Sequence, residues 1–259
     1  MKTIVASYLR TSRWLLAACV GMMITTYFPS AETAMATELQ IETPLNSGIH
    51  DLTIDTSVGK LRYSLHIPEN LPKDGSQPLI LVLHYGGTPS GFYGRPLIEQ
   101  LVLPTFGALN PVIVAPVSVA GDWTNPDNKR LVFELLAALE RAYSTDPGSR
   151  LITGYSMGAM GTWHIISEYQ DYFSAAIAIS GFSAIEPERC RTPLYALHSR
   201  ADSIFDAERL QTEIDKLDSA GCKVKVDFID GIDHYNIPAF APMLKNTLPW
   251  VLDIWERAQ

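Results

Sequence analysis

Two early stretches, Leu52 to Ile54 and Leu61 to Ile67, alternate apolar and polar residues, the pattern of strands with one wet face. Asn70 to Gln77 is turn-rich. Leu79-Ile80-Leu81-Val82-Leu83 then runs apolar without alternation, as a strand buried on both faces does. Val112 to Ala115, Leu151 to Thr153, Ala175 to Ile179, Leu194 to Leu197 and Val224 to Ile229 have the same character. Between them the period changes to that of a helix. Leu131, Leu135, Leu136 and Leu139 form one apolar stripe, with Glu134, Glu140 and Arg141 on other faces. Further helices are predicted from Met157 to about Tyr169, over Ala207 to Ser219 and over Pro249 to Arg257. Buried strands alternating with helices predict an α/β fold with a mostly parallel, doubly wound sheet and helices on both faces. No internal repeat or composition shift marks a second domain.

The first 36 residues read as an address, apart from a 37–259 domain. Lys2, Arg10 and Arg13 precede the apolar run Trp14 to Phe28, no acid occurs before Glu32, and Ala34-Met35-Ala36 supplies a small-residue cleavage triplet. This is the pattern of a secretory signal peptide, and the run is short for a bilayer span. Leu16-Ala17-Ala18-Cys19 also resembles a lipoprotein box, but the apolar run barely precedes it and continues beyond. The expected location is therefore secreted or periplasmic, with no stable membrane span after cleavage. In an oxidising compartment Cys190 and Cys222, each just before a predicted strand, either pair or act as two separate small apolar residues.

Composition narrows the class. With 47% hydrophobic and 19% charged residues the chain can bury a core, and a formal charge of −8 argues against a nucleic-acid partner. No Cys/His cluster has metal-site spacing.

The strongest local feature is Gly154-Tyr155-Ser156-Met157-Gly158, between the predicted strand Leu151 to Thr153 and a helix. A serine on a sharp strand-to-helix turn projects its hydroxyl from the sheet, and glycines are needed where the chain passes close on both sides. The Met157 amide at the helix start is then an oxyanion donor. His84-Tyr85-Gly86-Gly87 follows the strand Leu79 to Leu83, where a second donor is expected from the Tyr85 amide, with Gly86 as the alternative. His84 reads as a hydrogen-bonding support beneath that loop.

A serine nucleophile needs a base, and the base an orienting carboxylate. Of the six histidines, His50 precedes the predicted sheet, His66 lies in an early strand expected at the edge, and His164 points along its helix away from the turn. His198 ends the strand Leu194 to Leu197, while His234 lies in the loop after the last strand. Asp202 lies nearest the carboxyl end of its strand. Asp206 is expected to cap the helix from Ala207, and Asp233 is an outside candidate. Ser156, Asp202 and His234 thus fall in chain order on the edge where an open parallel sheet gathers its ligands. Trp123, in Gly121-Asp122-Trp123-Thr124, either walls the pocket or packs on neighbouring helices. Tyr155, Phe92 and Tyr93 are further pocket candidates.

With Ser156-Met157-Gly158-Ala159-Met160-Gly161-Thr162-Trp163, Tyr169-Gln170-Asp171-Tyr172-Phe173 and Ile179-Ser180-Gly181, the chain resembles α/β-hydrolase serine esterases. The likeness is to the secreted branch with feruloyl-type and acetyl-xylan-type esterases and polyhydroxyalkanoate depolymerase-like proteins, and also to prolyl-oligopeptidase catalytic domains. It implies nucleophile Ser156, acid Asp202 and base His234, a small-molecule ester substrate and no cofactor. It also implies an uncapped site, since only Phe182 to Thr192 is available for a cap. His-Tyr-Gly-Gly departs from the commoner His-Gly-Gly-Gly, and Ala159 stands where many relatives carry glycine. The rival readings are a serine peptidase and a non-catalytic binding protein on the same scaffold. Oligomeric state is not legible.

Overall fold

The computed structural model describes residues 39–41, 43–72 and 77–258, so the expected leader, with Cys19, lies outside the described residues. Eight strands form one sheet: β1 (Gly48–Thr56), β2 (Gly59–Ile67), β3 (Gln77–Leu83), β4 (Val112–Pro116), β5 (Thr145–Tyr155), β6 (Ala175–Ile179), β7 (Leu194–Ser199) and β8 (Val224–Ile229). Their order is β1-β2-β4-β3-β5-β6-β7-β8. β1 and β2 form an antiparallel hairpin, and β2 runs antiparallel to β4. From β4 to β8 every pairing is parallel. Two expectations are corrected here. His50 lies within β1 rather than before the sheet, and His66 lies in β2, which has a neighbour on each side rather than forming the edge. The alternation of the hairpin reports one wet face, and that says nothing about lateral position.

β3 explains why an uninterrupted apolar run was needed. Leu79, Leu81 and Leu83 pack into one core, and Ile80 and Val82 into the core on the opposite face. The first core is closed by the helices Pro126–Tyr143, Met157–Glu168 and Ala207–Ser219. The second is closed by a helical run over residues 95–106 and by the helices Ala241–Asn246 and Leu248–Ala258. Helix Pro126–Tyr143 starts where the Asn125 side chain accepts from the Asp127 amide and proline occupies the first turn. Asp206 caps Ala207–Ser219 by accepting from the Arg209 amide, as its position implied.

The run over 95–106 has no counterpart in the sequence reading, because Pro96 and Pro104 break the helical pattern there. Its middle, Ile98–Val102, is a π-helix in which the Leu103 amide reaches back to the Ile98 carbonyl. Such a widened turn accommodates the amide that Pro104 lacks.

Cys190 and Cys222 form a disulfide with Cα atoms 5.8 Å apart. They stand at the amino-terminal ends of the adjacent strands β7 and β8, away from the carboxyl edge. Among the described residues no helix is long and apolar enough to cross a membrane.

Candidate active site

β5 ends at Tyr155, and Ser156 turns the chain into the helix Met157–Glu168 with φ 55° and ψ −115°. A non-glycine residue holds such a backbone at a cost of about 1–3 kcal/mol, and only when its surroundings impose it. The Ser156 amide donates to the Ile179 carbonyl at 2.9 Å, and its own carbonyl accepts from the Met160 amide at 3.0 Å. Crowding accounts for the flanking glycines. A Cβ on Gly154 would strike the Gly158 carbonyl, and one on Gly158 the Leu83 carbonyl.

The loops after β7 and β8 bring the other two expected residues to this turn. His234 Nε2 lies 2.9 Å from Ser156 Oγ, and Nδ1 lies 2.8 Å from Asp202 Oδ2. With a carboxylate facing Nδ1, that nitrogen carries the proton and Nε2 is left to accept from the serine hydroxyl. The Asp202 side chain has no exposed surface, and its other oxygen accepts from the Ile204 and Phe205 amides at 2.8 and 2.9 Å. Burial alone would raise the Asp202 pKa, but the hydrogen bonds from His234, the two amides and Ser180 outweigh it and hold the carboxyl below its ordinary value. Asp233 stays outside the group, its carboxylate accepting from the Tyr235 amide at 2.7 Å.

His84 supports the loop after β3. The ring is fully buried, Nδ1 lies 2.7 Å from the Tyr85 carbonyl, and Nε2 accepts from the Ser118 amide at 3.0 Å. Burial lowers its pKa to about 4, only partly offset by the bond to Tyr85, so the ring is neutral. Above it the loop backbone runs beside the helix start: a Cβ on Gly86 would lie 3.7 Å from that of Met157. Met157, Tyr85 and Gly86, the expected amide donors, are therefore neighbours. Met157 also holds the first helical position, where an amide has no intrahelical acceptor.

A cavity of about 510 Å³ opens over Ser156 and His234. The loop after β3 contributes Tyr85, Gly86 and Tyr93, while the loops after β7 and β8 contribute Ile204, Tyr235 and Ile237. Tyr155 lines it as expected. Two pocket candidates do not. Trp123 is 1% exposed and donates its indole N–H to the His84 carbonyl at 2.9 Å, so it props the loop from within. Phe92 does not line the cavity. Its neighbour Tyr93 does, its ring tilted at 57° and centred 4.9 Å from the Tyr85 ring. No cap covers the opening from the β6–β7 connection, whose only regular element is the 3₁₀ turn Pro187–Arg189.

Four residues add to what the sequence suggested. Ser180, at the end of β6, hydrogen-bonds Asp202 Oδ2. It is fully buried and sits on the Nδ1 side of His234. Its position just past a buried strand, on the ligand-gathering edge, was the available signal. His198, also buried, holds the Asp202 loop through Nε2 and the Phe205 carbonyl at 2.9 Å. Ile204 and Tyr235, 54% and 74% exposed, flank the opening. Their adjacency in sequence to the Asp202 and His234 loops was the only hint of this. His164 instead joins Lys129 and Glu168 on the helix surface. Among the described residues no cluster of His, Cys, Asp or Glu has the grouping to hold a metal ion.

An open sheet in this strand order has clear counterparts among solved structures. This is the α/β fold of solved esterase structures. The esterase family matches residues 120–220, a span that holds Ser156, Ser180 and Asp202. A thermostable esterase superposes with a TM-score of 0.66 at 23% identity, over 79% of this chain and 62% of that one. The chain thus spans less than two thirds of that protein. A ferulic acid esterase gives a TM-score of 0.66 at 18% identity, over 82% of this chain and 100% of the other. A fluorophosphonate-binding serine hydrolase from Staphylococcus aureus, substrate bound, gives 0.65 at 11% identity, over 80% and 99%. At these identities the likeness is one of fold. No curated protein matches the sequence.

Proposed function

We propose that this chain is a secreted or periplasmic serine hydrolase that cleaves carboxylic esters of small or aryl acyl groups through an acyl-enzyme. The observation that carries the reading is the unbroken hydrogen-bonded chain from Ser156 Oγ through His234 to Asp202, open to a cavity on the serine side. His234 Nε2 takes the hydroxyl proton as Oγ attacks the ester carbonyl, and Asp202 stabilises the resulting imidazolium. The developing oxyanion is received by the Met157 amide and by the amide of Tyr85 or Gly86. His234 then returns the proton to the departing alcohol, and in the second half activates water to release the acid. No metal or organic cofactor takes part in these steps.

The substrate class follows from the walls. Tyr85, Tyr93, Tyr155 and Tyr235 surround the serine with rings and hydroxyls, a lining suited to a flat aryl or sugar ester. Likeness of fold to a ferulic acid esterase supports the same choice. The Cys190–Cys222 bond fits an oxidising compartment. The test is turnover of p-nitrophenyl acyl esters, feruloyl esters and acetylated sugars against peptide anilides, in wild type and Ser156→Ala. Ester turnover lost in the variant is expected. Hydrolysis of anilides alone would make the enzyme a peptidase, and unimpaired ester turnover in the variant would end the assignment of Ser156.

A further inference from the structure

Ser180 occupies the end of β6 one strand along from Ser156, and like it has a positive φ, 54°. Its side chain is fully buried and its amide is fixed on the Leu197 carbonyl at 2.9 Å. The hydroxyl donates to Asp202 Oδ2, the oxygen that also faces His234 Nδ1, and its Oγ lies 3.3 Å from Nδ1. Asp202 therefore has four donors, two on each oxygen, and neither its side chain nor Ser180 has exposed surface where water could substitute. Glycine would meet this backbone without strain. What glycine cannot supply is the hydroxyl.

We propose that Ser180 is a positioning residue of the relay: its hydroxyl fixes Asp202 Oδ2 against His234 and shares the negative charge that holds the imidazolium. Ser180 keeps its proton throughout, and no bond to it forms or breaks. The proposal rests on the assignment of Ser156, His234 and Asp202 above. A carboxylate held by one donor fewer can turn away from the ring, and its charge is less dispersed. Loss of Ser180 should therefore weaken acyl transfer. The other ionisable neighbours of His234 are His198, Tyr155, Asp233 and Tyr235, and all are retained in the variants below.

Ser180→Ala removes the hydroxyl and keeps the strained backbone, whereas Ser180→Gly removes the hydroxyl and relieves it. Both should lower kcat by about tenfold and leave KM within about twofold, as expected for a lost hydrogen bond to a charged group. In both, the low-field proton resonance of His234 Nδ1–H should shift. A purely structural role would change thermal stability, differ between the alanine and glycine variants, and leave the resonance in place. Wild-type kcat and resonance in a folded Ser180→Gly protein would overturn the proposal. Should the wild type turn over no ester, the functional reading fails by itself. The resonance then decides on Ser180: unmoved in Ser180→Gly it overturns the positioning role, and shifted it supports it.

Discussion

The hydroxyl of Tyr155 donates to the backbone carbonyl of His234 at 2.6 Å, so the residue before Ser156 anchors the loop that carries His234. The end of β5 and the loop after β8, 79 residues apart in sequence, are tied by this buried bond. Burial pushes the Tyr155 phenol up to about 12, so it remains a donor at any working pH. Tyr155→Phe keeps the ring and removes the bond. kcat/KM should fall by about tenfold, carried by kcat, because a buried carbonyl is left unpaired and the base is freed to move. Steady-state kinetics on one aryl ester measures it, and an unchanged kcat would show that the loop is held without Tyr155.

His84 gives a pH dependence of stability with a definite sign. Unfolded, its ring takes a proton near the ordinary 6.5, and folded only at about 4. Between those values the unfolded chain holds more protons, so stability falls as pH falls, by up to about 3 kcal/mol from this group. His66, His164 and His198 are also lowered by burial and add slope of the same sign. His84→Gln should be less stable at pH 7 and show a shallower decline between pH 7 and pH 4. Urea unfolding across that range measures it, and parallel curves would contradict a buried neutral ring.

The collision foreseen at Gly158 predicts one of the least tolerated substitutions in the chain. The Leu83 carbonyl occupies the place a Cβ would need, and it belongs to β3, which cannot retreat without disturbing both cores. Gly158→Ala should cost about 3 kcal/mol or more and abolish turnover. Thermal unfolding and activity of the purified variant test this together. A variant with wild-type melting and kinetics would mean that the turn is looser than its contacts imply.

The disulfide should matter for stability and little for chemistry. It closes a loop of about 32 residues that contains Asp202, yet it ties β7 and β8 at their amino-terminal ends, across the sheet from the site. Replacing both cysteines with serine should cost about 3–4 kcal/mol by the loop-closure argument and leave kcat/KM of the folded enzyme within about twofold. A large loss of kcat/KM without unfolding would mean that the bond reaches Asp202 after all.

Much of the architecture was legible because it rests on short-range pattern. β6, β8 and the helix Ala207–Ser219 fall on the bounds their hydrophobic periods indicated. That Ser156, Asp202 and His234 would meet was legible because a glycine-bracketed serine after a buried strand fixes an edge, and that edge then ranks the remaining acids and histidines. The helical run over 95–106 was hidden by its prolines, which a π turn absorbs. The cavity walls were hidden for a different reason. Trp123 and Tyr93 both lie on loops, and only three-dimensional packing decides that the first goes under the loop after β3 and the second into the opening. Ser180 had the right address, but its bond to Asp202 joins residues brought together by two strands and has no local pattern.

Covalent labelling with a fluorophosphonate, followed by mass mapping of the modified peptide, tests the central claim most directly. The adduct should fall on Ser156 in the wild type, and its rate of formation should drop by about a thousandfold or more in His234→Ala. An intact, folded wild-type protein that takes no label, or takes it at another serine, would contradict the account.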